Sequence, residues 1–355
     1  MRLLPLYSFL LLGLACRKAE PLPMPAPTLT ATDTLCFDSA TGRLAGPADF
    51  RTRATTMRLE WLYNDAQFRM YDAQRGFLAN GDSLYRTTNG GRNWHADGRS
   101  YRGYASGMHW RDAQTGWVAR RDWEREETKV WRTDDGGVSW TSYTNSELRG
   151  GELFDLTEIA PDQLFGLHQL SDRLVVVASL DGGASWAVRY GNTGIGSDAY
   201  SHRNLHYTDG RLYLPTDGGF LLQLDTLGNL LPGIDTGAEG LVRPLLIRKE
   251  LLVVGTDSGI RRSTDGGLTW TAVDSHPAFL LAQQDNQLWA GQQTICNNGD
   301  VLRVVTLLGY SNDAGLSWRW GPPSAVAAWD LVLQITGDGQ AIALSEDRHF
   351  LLERQ

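Results

Sequence analysis

The chain has 355 residues, 42% hydrophobic and 21% charged, so it can bury a core and is not globally disordered. Its 33 basic and 41 acidic residues give a net charge of −8, which argues against a general nucleic-acid binder. The 39 Gly and 13 Trp, set among Val, Leu and Tyr runs, point to an all-β chain, and no apolar run is long enough for an ordinary transmembrane helix.

In chain order, Arg2 and the apolar stretch Leu3 to Leu14, meeting Ala15-Cys16, read as an export signal. The run Leu12-Gly13-Leu14-Ala15-Cys16 resembles the lipobox of bacterial lipoproteins, with Gly13 standing where that family prefers Leu. The resemblance implies cleavage before Cys16, acylation of its thiol and new amine, and attachment to the cell envelope through the lipid. Pro21, Pro23, Pro25 and Pro27 then occupy every second position, which blocks helix and sheet and favours an extended polyproline spacer. Residues 1–15 are thus a signal peptide and 16–56 a lipid-anchored, Pro-rich tether and arm, leaving 57–355 for the folded body.

Five segments of that body share Ser/Thr-x-Asp-x-Gly-x-Ser/Thr-Trp, with Asn replacing Asp in the first. They begin at Thr87, Thr133, Ser179, Ser263 and Ser311, and carry Asn89 and Trp94, Asp135 and Trp140, Asp181 and Trp186, Asp265 and Trp270, and Asp313 and Trp318. Successive starts lie 46, 46, 84 and 48 residues apart. The long gap holds two periods, and Leu224-Asp225-Thr226-Leu227-Gly228-Asn229 marks a unit that has lost its Trp. A second phrase, Asp-Ala-Gln-x-Gly-aromatic, precedes the first two boxes at Asp72 and Asp112. Units of 40–50 residues built from short strands predict a β-propeller with one blade per repeat. The count is seven blades, with six as the alternative. Strand-like runs from Ala325 to Glu353 supply three strands of the last blade, and Met57 to Tyr63 is the expected fourth, closing the ring.

The box is identified as the Asp-box, or bacterial neuraminidase repeat, in which Asp and Gly build a tight turn and Trp packs between blades. With the Asp-Ala-Gln phrase, residues 60–355 resemble the photosystem II stability/assembly factor family of propellers. That resemblance implies a seven-bladed scaffold that binds other proteins, in the photosynthetic members through an Arg-rich patch. Box propellers also include sialidases and endoglycanases, so a carbohydrate-active hydrolase is the alternative. Asp122, Glu124, Glu126, Asp217 and Asp257 are its carboxylate candidates, but no complete catalytic motif is present. The seven histidines form no metal-ligand pattern, His202 and His206 lying four apart in a loop, so neither metal nor cofactor is expected.

Since the boxes join the third and fourth strands, the opposite face collects the strand 2–3 turns and the connections between blades. That face gathers Arg99, Arg102, Tyr104, Arg121, Trp123, Arg125, Arg149, Arg173, Tyr200, His202 and Arg203, residue types enriched at binding hot spots. The partner expected there is an envelope protein or a polymer carrying carboxylates. Beyond Cys16 two cysteines remain, Cys36 and Cys296, which in an oxidising compartment form either a disulfide or two separate thiols.

Overall fold

The computed structural model describes residues 48, 50–54, 67–72, 74–97, 103–171, 173–191, 205–216, 218–297, 302–324, 332–337, 340–345 and 348–354. Among them, seven four-stranded antiparallel sheets account for 28 strands. After β1 (Phe50–Ala54), the first blade is β2 (Gln67–Met70), β3 (Gly76–Asn80), β4 (Ser83–Thr87) and β5 (His95–Ala96). The second is β6 (Tyr104–Trp110), β7 (Gly116–Asp122), β8 (Glu127–Thr133) and β9 (Thr141–Thr144). The third is β10 (Glu152–Ala160), β11 (Gln163–Gln169), β12 (Leu174–Ser179) and β13 (Ala187–Tyr190). The fourth is β14 (His206–Thr208), β15 (Arg211–Pro215), β16 (Phe220–Asp225) and β17 (Leu230–Asp235). The fifth is β18 (Arg243–Ile247), β19 (Leu252–Thr256), β20 (Gly259–Ser263) and β21 (Thr271–Asp274). The sixth is β22 (Phe279–Gln284), β23 (Gln287–Asn297), β24 (Leu302–Ser311) and β25 (Arg319–Trp320). The seventh is β26 (Val332–Gly337), β27 (Gln340–Ser345), β28 (Arg348–Arg354) and β1.

The first strands of neighbouring blades touch except between the fourth and fifth, which share a core of Tyr213, Leu221, Ile247 and Leu252, and β26 of the last blade touches β2 of the first. The chain therefore closes on itself, and closure covers the blade faces that an open array would leave exposed. The decayed box falls in the β16–β17 turn, where an intact one would sit. Asp225 still accepts from the Leu227 and Asn229 amides at 2.8 Å, although the Trp is gone.

The seal differs in one respect from the sequence expectation. An N-terminal strand does complete the last blade, but it is Phe50–Ala54, paired in register from Phe50↔Arg354 to Ala54↔Phe350. Met57 to Tyr63 lies outside the described residues. Apolar density favoured Met57 to Tyr63, whereas the blade interface selects one well-placed aromatic. Phe50 is buried against Trp289 and Tyr310 of the sixth blade, with ring centroids 4.6 and 4.8 Å away.

Each box is the turn between strands three and four. In the second blade, Asp135 Oδ1 accepts from the Thr133 hydroxyl and the Ser139 amide, and Oδ2 accepts from the Ser139 hydroxyl. The Thr133 hydroxyl in turn accepts from the Gly137 amide at 2.8 Å. Asp181, Asp265 and Asp313 repeat the pattern, and Asn89 keeps its acceptor half. Hydroxyl donation by Ser139 and by Thr269, followed by their amides, holds the Asp135 and Asp265 carboxyls down to about 2.

The second box glycine is required twice over. Gly267 has φ +92°, and a Cβ there would lie 2.3 Å from Ile234 of the preceding blade. The box tryptophans also reach backwards. Trp186 joins the core built from Trp117 and Val130 of the second blade, and Trp270 Nε1 donates to the Asp235 carbonyl at 2.9 Å.

The Asp-Ala-Gln phrase is the turn between strands one and two. Asp112 Oδ1 accepts from the Gln114 and Thr115 amides, and the Gln114 carbonyl accepts from the box amide of Gly136 at 2.8 Å. The same tie links Gln74 to Gly90, Asp162 to Gly182, Glu250 to Gly266 and Asn286 to Ala314. On the box face, then, the two turns of each of these blades are hydrogen-bonded together.

Candidate functional site

The second blade carries Tyr104, Arg121, Trp123 and Arg125 on the face opposite the boxes. Its strand β7 is buried throughout and ends in Arg120-Arg121-Asp122. Alternation along a strand sends consecutive side chains to opposite faces, so the two arginines serve different interfaces. Arg120 is 1% exposed, and its Nη2 donates to the carbonyls of Gly81 and Gly103, clamping the first blade's strand 2–3 turn. Arg121 turns the other way. It is 4% exposed, and its Nε and Nη1 make no hydrogen bond among the described residues.

The turn after β7 lays Trp123 over this buried guanidinium, 5.0 Å from ring centroid to Cζ. Trp123 itself is 57% exposed and Tyr104, the in-register partner of Arg121, is 41% exposed. Asp122 shapes the turn: its carboxylate accepts from the amides of Glu124 and Arg125 and pairs with the Arg125 guanidinium at 3.4 Å. The Gly150 amide donates to the Glu126 carbonyl at 3.0 Å, which draws the connection carrying Arg149 against the same turn. A buried cation with N–H groups unmatched among the described residues thus sits under the exposed Trp123 ring, with Tyr104 across the ladder and Arg125 and Arg149 exposed beside it.

His168, at the end of β11, completes the floor and was not singled out from the sequence. It is 1% exposed. Burial pushes its imidazole down to about 4, the Leu148 carbonyl opposes this, and the charge of Arg121 adds to it. No spacing rule finds such a residue, because its neighbours come from another blade.

The remaining sequence candidates divide. Arg173 is exposed in the β11–β12 turn, one blade along the same face. Arg99, Arg102, Tyr200, His202 and Arg203 lie outside the described residues, as do Cys16 and Cys36. Cys296 lies on β23, opposite Arg303. Arg121 was expected as an exposed loop residue; the structure buries it, because β7 runs two residues further than the loop assignment allowed. Among the described residues no interaction pairs the carboxylate candidates with one another. Asp122 is held by Arg125, Asp257 pairs with Arg243 at 2.9 Å in the fifth blade, and Asp217 lies outside the described residues. No group of three or more His, Cys, Asp or Glu suited to a metal ion occurs among the described residues.

On the box face, charged pairs knit neighbouring blades together, while Val138, Leu180, Leu268 and Leu316 stand exposed at the box tips. Between the second and third blades, Arg111 pairs with Glu158 and Asp162, and Arg132 with Asp134 and Asp162. Both guanidiniums lie over the Trp117 ring, at 5.2 and 5.4 Å. An open notch of about 530 Å³ lies further round, but Arg248 at its wall already donates to Asn286 and to the Asp285 carbonyl.

No protein-family model and no curated protein matches the sequence. Solved structures do match. YCF48 from Cyanidioschyzon merolae aligns with a TM-score of 0.59 and 14% identity, over 86% of this chain and 99% of that one. A structure of YCF48 bound to D1 peptide aligns with a TM-score of 0.58 and 14% identity, over 89% and 97%. A chain of the mitotic checkpoint complex reaches 0.57 at 10% identity, over 96% and 99%. At these identities the likeness establishes the fold, and the fold is a β-propeller that resembles YCF48 along nearly the whole of its length.

Proposed function

We propose that this protein is a non-catalytic scaffold, anchored to the bacterial cell envelope by lipid on Cys16, that captures a carboxylate-bearing segment of a partner protein on the Arg121–Trp123 face. One observation carries the reading: Arg121 is buried, with N–H groups unmatched among the described residues, beneath exposed Trp123 and across the ladder from exposed Tyr104. A buried cation left unpaired is costly, and a carboxylate is the ligand that compensates it with charge-assisted hydrogen bonds. Trp and Tyr add apolar contact area at small entropy cost. The box architecture and the Asp-Ala-Gln phrase favour kinship with Asp-box propellers of the photosystem II assembly type. The peptide-bound YCF48 structure supports a protein segment as the ligand class.

Since Arg121 is packed into the blade, the first test spares it. Trp123→Ala with Arg125→Ala should weaken capture of crosslinked envelope partners at least tenfold, about what loss of one hot spot removes, and leave the melting temperature nearly unchanged. Retained capture in that variant, with loss on changing the exposed box residues Val138 and Leu268, would assign binding to the wrong face. The anchor is tested separately. Cys16→Ser should abolish fatty-acid labelling and release the chain from membranes; a wild-type chain that takes up no label refutes it.

A further inference from the structure

The box turns carry side chains that the fold does not use. Val138, Leu180, Leu227, Leu268 and Leu316 are 57–85% exposed. They belong to the strand 3–4 turns of five successive blades, from the second to the sixth. An aliphatic side chain gains nothing at a turn apex in water, and the box itself requires none there. At the position of Leu268 the first blade has Arg92 and the third has Ala184.

All five tips stand on the box face, each on a different blade, so they mark a plane rather than a groove. A surface that meets them together is flat. The turns are also built to leave water. The Leu227 and Leu316 amides donate to Asp225 and Asp313 at 2.8 and 3.1 Å. On either side of Val138, the Gly137 and Ser139 amides donate to Thr133 and Asp135. Backbone donors already paired within the turn lose nothing when water is displaced. The box carboxylates set the depth, because they accept from residues at or beside the tips and are costly to bury. Side chains can enter an apolar boundary, but the turns cannot.

The chain enters the ring on this same face. Phe50 pairs with Arg354, the last residue of β28, and β28 is the third strand of its blade. Arg354 thus occupies the place from which Thr133 leads into the second blade's box. The seventh strand 3–4 position is therefore the entry point of the N-terminal arm, and Cys16 lies 34 residues before Phe50. A lipid on Cys16 brings a bilayer to the box face without the arm rounding the rim of the ring.

We propose that the box face docks on the lipid bilayer, its five aliphatic tips reaching about 5–10 Å into the boundary between headgroups and acyl chains, with the Arg121–Trp123 face turned away from the membrane. This rests on the acylation of Cys16, since isolated tips bind a membrane weakly and the lipid supplies the second signal. A bilayer is favoured over a second copy because it is the surface to which an arm entering on this face leads.

The test adds the wild-type full chain to phosphatidylcholine vesicles that hold an apolar diazirine. Photolysis generates carbenes that mark side chains within the acyl region, and peptide mass spectrometry locates the marks. The five tips should be marked, and Tyr104 and Trp123 should not. The full chain with Leu227→Ser, Leu268→Ser and Leu316→Ser should keep its melting temperature and lose marking at Val138 and Leu180 by at least about fivefold. Fatty acid on Cys16 with unmarked tips overturns the docking and leaves the anchor standing. Marked tips on a chain without fatty acid overturn the anchor alone, and a chain with neither overturns both. Marks on Tyr104 and Trp123, or unchanged marking in the triple variant, also overturn the docking.

Discussion

Removing Arg348–Arg354 is expected to destroy cooperative unfolding and drive the protein into aggregates. β28 is not an edge strand, since it lies between β27 and β1 and carries both ladders of the last blade. Without it β1 has no partner, Phe50 leaves its pocket beside Trp289 and Tyr310, and two unpaired edges face solvent. The milder Phe50→Ala isolates the packing contribution. Truncating a buried Phe costs about 3–5 kcal/mol, or roughly 6–10 °C of melting temperature in a protein of this size. Calorimetry and light scattering read both variants. A deletion that melts like wild type and stays monomeric would show that the ring is sealed elsewhere.

Acid should be the second route to unfolding, and histidines rather than aspartates should set its onset. Burial is the largest influence on His109, His168 and His206 and pushes each down to about 4; at His109 the charge of Arg69 adds to it and Glu158 opposes it. A folded pKa below the unfolded value of ~6.5 means that the unfolded chain binds more protons between those limits. The stability these groups contribute is fully present above pH 6.5 and is lost as the pH falls towards 4. At about 1.4 kcal/mol per pKa unit, His168 alone accounts for up to about 3 kcal/mol. The box carboxyls Asp135 and Asp265, lowered to about 2, act in a separate window between pH 4 and 2. Melting temperature should therefore decline between pH 6.5 and 4, and His168→Gln, which cannot titrate, should flatten that decline by about a third. A melting temperature constant from pH 7 to 4 would contradict this account.

The parts of the molecule legible in the sequence are those whose chemistry is local. A box states its own turn: Asp135 bonds residues two and four positions away, and Gly137 supplies the required φ of +78°. Five such turns at a regular spacing dictate the repeat, and the repeat dictates the fold. What depends on contacts between blades was not legible in the same way. Phe50 is one aromatic in Phe-Arg-Thr-Arg-Ala, unremarkable until Trp289 and Tyr310 stand around it. Arg120 and Arg121 are adjacent and chemically identical, yet one clamps Gly81 while the other lies under Trp123. Blade topology puts Arg121 at the end of β7 away from the boxes, but its burial follows from the length of β7 and the packing of the third blade, which His168 represents.

The pairing of β1 with β28 also sets a timetable. Of the described strands, the first to leave the ribosome waits for the last, because Phe50 and its partner Arg354 are about 300 residues apart. At ~5–20 residues per second, synthesis holds the ring open for about 15–60 s. During that interval the middle blades can form in turn, since each box turn and its hairpins are local, but no arrangement of them is final. Contacts of such long sequence separation are slow to form and leave sheet edges exposed meanwhile. A chain built this way is committed late, and any process that needs it threaded or extended has the whole of its synthesis in which to act.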